Sequence, residues 1–108
     1  MTNQDTYFFS ESLANEIPEL PQQSIVSRTI FQDEQLKVIL FGFAEGQELS
    51  EHTASVPAMI HILEGQARLS LGKDSFDVGL GAWAHMPANL SHSIFAKSPV
   101  KMLLIMLR

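Results

Sequence analysis

Beyond residue 24 this chain never sustains a helical period. Its apolar residues come in short runs, 25–31, 36–43, 58–63, 67–71, 75–78, 82–86, 92–95 and 100–107, each bounded by Gly, Pro, Asn or Asp. A globular helix needs apolar positions recurring every three to four residues over a longer stretch, whereas runs of this length between turn residues are strand-sized. The pattern predicts an all-β sandwich or barrel. Asp33-Glu34-Gln35 reads as a turn between apolar strands, and Gly72-Lys73-Asp74 as the turn of a hairpin joining Leu69-Ser70-Leu71 to Ser75-Phe76.

Residues 1–24 read as an N-terminal arm leading into one domain, 25–108. The arm is polar, carries Pro18 and Pro21, and offers one short helix over 11–16 with Ser10 as its cap. It is expected to stay outside the core. Two later runs, 38–41 and 102–107, are apolar on both faces. A strand half exposed to water should alternate, so the second face of each must be covered. A homodimer is the favoured cover and the arm the alternative.

The 108 residues fit a single domain, and 12 acidic against 7 basic side chains give a net charge of −5. Such a surface repels phosphate backbones and anionic lipids, which argues against nucleic acid and membrane partners. With no cysteine, neither a disulfide framework nor a thiolate zinc site can form. Residues 1–9 lack the basic and apolar regions of a signal peptide, and the expected location is the cytoplasm.

Chemistry-bearing residues fall into two spaced blocks. The first is Gly46-x5-His52 closed by Gly65, and the second is Gly81-x5-Pro87-x-Asn89-x2-His92. In this spacing the chain resembles the cupin superfamily, specifically small single-domain cupins of the conserved-barrel type. The family's first motif, G-x5-H-x-H-x(3 or 4)-E-x6-G, is matched at Gly46, His52 and Gly65, while Ala54 and Ala58 replace a histidine and a glutamate. The second, G-x5-P-x-G-x2-H-x3-N, is matched at Gly81, Pro87 and His92, with Asn89 at the glycine and Ala96 at the asparagine. Asn tolerates the left-handed backbone that such a turn needs. The resemblance implies a jelly-roll β-barrel with a short N-terminal arm and, in metal-binding members, three histidines and a glutamate around a divalent transition metal (Fe, Mn, Ni, Cu or Zn).

By that resemblance His52 and His92 are the two matching ligands, too few to hold a divalent ion well by themselves. Strand parity from Ala58 turns residues 58, 60 and 62 inward and His61 outward, where it could pair with His85 across the sheet or at a subunit interface. Adjacent imidazoles resist double protonation, so such a pair would weaken an interface as the pH falls to about 6. A bulge reversing the parity would instead make His61 a third ligand. Glu48 shares strand parity with His52 and could supply a carboxylate, although Glu45, Glu48 and Glu51 read better as a solvated acidic face. Trp83, Met59, Met86, Met102 and Met106 read as core or interface residues.

The leading expectation is a homodimeric cupin barrel that binds a small molecule in a pocket of His52, Ala54, Ala58, Ile60 and His92, widened by the two alanines. The alternative is a metal-dependent oxygenase or isomerase using His52, His92 and a further donor. No catalytic nucleophile is indicated.

Overall fold

A computed structural model describes residues 7–108, so residues 1–6 of the expected arm lie outside the described residues. After a single 3-10 turn at Leu13–Glu16 come the strands β1 (Ile25–Gln32), β2 (Leu36–Phe43), β3 (Glu48–His52), β4 (Ala58–Glu64), β5 (Ala67–Leu71), β6 (Asp74–Val78), β7 (Trp83–Met86), β8 (His92–Ala96) and β9 (Val100–Leu107). Each expected run is a strand to within one residue at either end. β3 is the addition: its sequence ELSEH is exposed along nearly its whole length, so it carries no alternation, and only pairing with β8 makes it a strand.

The strands form two antiparallel sheets, ordered β1-β2-β9-β4-β7 and β3-β8-β5-β6. Strands distant in sequence are neighbours in both, as in a jelly roll. Among the described residues no helix is long and apolar enough to cross a membrane. The inner faces of the sheets enclose one cluster that includes Phe43, Ile60, Ile62, Leu69, Ile94 and Met102. On β4 the burial alternates from Ala58 through Ile62 with the even-numbered residues inside, as parity predicts. The β5–β6 hairpin is tighter than expected. Leu71 pairs with Asp74, leaving a two-residue turn whose first position, Gly72, has φ of 61°, where a side chain would be strained.

The arm does not stay outside the core. Ile17 is only 6% exposed and clusters with Leu40 and Leu103 on the outer face of the five-stranded sheet, with Leu13 and Leu20 packed alongside. Leu13 lies in the turn, while Ile17 and Leu20 follow it in the extended chain, and all three side chains pack against the sheet. Gly42 in β2 permits the approach, because a β-carbon there would run into Leu20 and come within 3.4 Å of Ile17. Polar contacts fix the arm in place. Lys101 Nζ donates to the carbonyl of Ala14 at 2.6 Å, and Arg28 donates to both the carbonyl (3.0 Å) and the carboxylate (2.9 Å) of Glu16. Ser10 does not cap the turn, because its hydroxyl donates to the Glu16 carboxylate instead (2.9 Å), and the N-cap position belongs to Ser12.

The arm therefore covers the β2–β9 part of this face. The β4–β7 part, with Met59, His61, Trp83 and His85 on the outward side by register, remains open, and Trp83 is 59% exposed. Trp83 is thus not a core residue of the single chain, whereas Met86 and Met102 are buried at 2%.

Candidate functional site

His52 and His92 meet as direct cross-strand partners on β3 and β8, with ring centroids 4.1 Å apart and planes tilted by 57°. His92 is buried at 8% exposure, while His52 is exposed at the end of its strand. The pairing depends on an irregularity between Leu49 and His52 that inserts an extra residue relative to β8. The same irregularity breaks the expected parity. Glu48 pairs with the outward-facing Phe95, so its carboxylate is not on the side of His52. Glu45, Glu48 and Glu51 are all exposed, as a solvated face requires, and Glu51 accepts a hydrogen bond from the Ser91 hydroxyl at 2.6 Å.

Both imidazoles are anchored in the same way. His52 Nδ1 lies 2.8 Å from the carbonyl of Ser50, and His92 Nδ1 lies 2.9 Å from that of Leu90. A carbonyl oxygen only accepts, so each Nδ1 carries the proton and each Nε2 keeps its lone pair in the neutral ring. This is the orientation that ligating or proton-accepting histidines adopt. The turn ahead of His92 has Leu90 N–H donating to the carbonyl of Pro87 at 3.3 Å. Asn89 has a φ of 69°, the left-handed value expected where the family motif has glycine. Its N–H donates to the carbonyl of Ala54 at 2.7 Å, which ties the two motif loops together.

The residues present do not fit a resident divalent metal held in the three-histidine, one-glutamate manner. Position 54 contributes a backbone carbonyl already in use, and Ala58 is a buried methyl at 2% exposure. Among the described residues no group of three or more His, Asp or Glu side chains is placed to hold an ion. His61 does not complete the set. It faces outward opposite Trp83 and Leu103, and the bulge in β4 comes after Ile62, too late to reverse its parity. His61 and His85 share the outer face but are not directly paired, since His85 sits opposite Met59.

The cavity also lies elsewhere than expected. Ala58 does not widen the interior, because Met86 and Met106 flank it in register and pack in or against the same cluster. A cavity of about 520 Å³ opens instead between the two sheets at their β6 and β7 edges. Ile60, Ile62, Leu69 and Leu71 line it from β4 and β5, with Phe76 and Val78 from β6, Ala84 from β7 and Ala82 just ahead of β7. Of the expected pocket residues only Ile60 lines it; His52, Ala54, Ala58 and His92 do not. His92 is nonetheless adjacent, as the cross-strand partner of Leu71. A wider recess of about 1090 Å³ beside the β1–β2 turn is lined by Gln32, Asp33, Glu34, Gln35 and Arg108. All five are polar and solvent-facing, unlike the apolar lining of a small-molecule site. The signal for the lateral cavity was present in the sequence as Ala82-x-Ala84, two small residues on the inner side of a strand whose counterparts carry Ile and Leu.

No protein-family model and no curated protein matches the chain. Solved structures do. A cupin superfamily protein from Desulfitobacterium hafniense is similar with a TM-score of 0.78 and 28% identity, over 82% of each chain. A cupin 2 conserved-barrel domain protein from Leptotrichia buccalis is similar with a TM-score of 0.77 and 28% identity, over 87% of this chain and 46% of that one. The chain is a cupin-superfamily barrel. A Streptococcus pyogenes protein of unknown function is similar to this cupin with a TM-score of 0.83 and 28% identity, over 95% of this chain and 90% of that one. This cupin departs from its superfamily's metal-binding pattern at Ala54 and Ala58, and a fold shared by many activities does not choose among them.

Proposed function

We propose that this cupin binds a small molecule in the lateral cavity of its barrel. The observation that carries the reading is the apolar cavity of about 520 Å³. That volume is within the range of small-molecule sites, which are concave, largely preformed and mostly apolar. Alanine in place of imidazole at position 54 and of carboxylate at position 58 fits a binding role better than metal catalysis. A thermal-shift screen of a small-molecule panel tests it: compounds should raise the melting temperature of the wild type but not of Ala84→Leu, in which a larger side chain fills the cavity. Hits that shift both proteins equally would defeat the proposal.

A second reading, a metal-dependent oxygenase or isomerase, is supported by the two anchored imidazoles with free Nε2 atoms. With alanines at 54 and 58, its remaining donors would have to come from solvent or substrate. Metal analysis of protein purified without a polyhistidine tag separates the readings. Near-stoichiometric metal lost in His92→Ala would favour the enzyme, and no uptake of Fe, Mn, Ni, Cu or Zn would remove it.

A further inference from the structure

The lateral cavity opens between two strands that each have a single neighbour. β6 pairs only with β5, and β7 only with β4. Phe76 pairs with the inward-facing Leu69, so it faces the interior, yet it is 48% exposed. An inward aromatic side chain is half exposed only where the barrel wall is open beside it. Across the gap stand the small side chains of Ala82 and Ala84, and the connecting turn carries Leu80 at 79% exposure. The apolar interior therefore reaches solvent through the side of the barrel.

Charge narrows what such an opening accepts. Among the described residues no lysine or arginine lines the cavity. The carboxylate of Asp77, which borders it, is engaged by Arg68 at 3.4 Å and Lys97 at 3.3 Å. The protein as a whole carries a net charge of −5. The His85 imidazole is the one basic side chain in the lining, so an anion entering here would lose hydration with no lysine or arginine to pair with. The free edges of β6 and β7 do offer unpaired backbone N–H and C=O groups, suited to orienting one neutral polar atom at the mouth.

We propose, resting on the binding role above, that the ligand is an uncharged, flat, mainly apolar molecule that enters sideways between β6 and β7 and packs against Phe76. The inference concerns the class of ligand and its route, and it can fail while the cavity remains the binding site.

Two dyes with the same ring system test it. N-phenyl-1-naphthylamine is neutral, and 8-anilinonaphthalene-1-sulfonate adds an anionic group to the same framework. Trp83, the single tryptophan of the chain, borders the cavity and reports bound dye by energy transfer. Titration of the full chain should show saturable transfer to one neutral dye per chain, with affinity about tenfold or more above that of the sulfonate. Ala84→Leu should weaken the neutral dye by about tenfold, and Ala82→Val, a smaller fill of the same face, by about threefold if Ala84→Leu does not fold. Equal or tighter binding of the sulfonate, lost in the filled variants, would overturn the uncharged-ligand inference and leave the cavity as the site. Binding unaffected by either substitution, or no saturable binding of either dye, would overturn both.

Discussion

Ala58→Glu restores the carboxylate of the superfamily's metal motif, and the packing around position 58 sets what this costs. Ala58 is 2% exposed in β4, with Met86 on one side and Met106 on the other as its cross-strand partners. Glutamate adds a methylene and a carboxylate where there is no room and no cation. Overpacking a filled core costs about 1–3 kcal/mol, and burying an unpaired carboxyl group adds about 2 kcal/mol or more even when it takes up a proton. The sum, about 3–5 kcal/mol, is a large share of the stability of a small domain. At roughly 4 °C per kcal/mol for about 100 residues, the melting temperature should fall by about 12–20 °C. Adding Ala54→His would give three histidines and a glutamate, and a divalent metal at about a hundred times its dissociation constant would then return about 2.7 kcal/mol. Thermal unfolding followed by circular dichroism, with and without Mn, Ni or Zn, reads both effects. An Ala58→Glu protein melting within about 2 °C of the wild type in the absence of metal would show that position 58 is not packed as described, and the reasoning would be refuted.

Two further outcomes concern the outer face of the five-stranded sheet. Gly42→Val should lower stability by about 1–3 kcal/mol in chemical denaturation, because the new side chain displaces Leu20 and Ile17. Combining it with Leu20→Ala should cost less than the sum of the two single changes, and strict additivity would count against the arm packing there. The open β4–β7 part of this face is where the expected homodimer would form. Sedimentation should then give a dimer for the wild type and a shift toward monomer for Trp83→Ser, and a mass unchanged by the substitution would exclude this face.

The strands were legible in the sequence because each is a short apolar run closed by a turn residue, and the two motif blocks located the histidine pair and the left-handed turn at Asn89. β3 was not legible, since ELSEH has no periodicity and becomes a strand only by pairing with β8. That pairing introduces an irregularity no local pattern announces, and it moves Glu48 away from His52. The arm was misread because its prolines and polar residues mask Leu13, Ile17 and Leu20, whose partners lie on strands far along the chain.

The sequence by itself determined every expected strand but not β3, the β4 parity that turns His61 outward, and the alanines at two of the four motif ligand positions, because these depend on residue identity and a two-residue period. Only the tertiary structure decided where empty space remains. Ala58 looks like a vacancy in the sequence but is closed by methionines from two neighbouring strands, whereas Ala82 and Ala84 open a cavity because β7 is an edge strand with β6 unpaired across from it. A small residue leaves room only where nothing else packs into its place, and that depends on strand neighbours that local sequence does not contain.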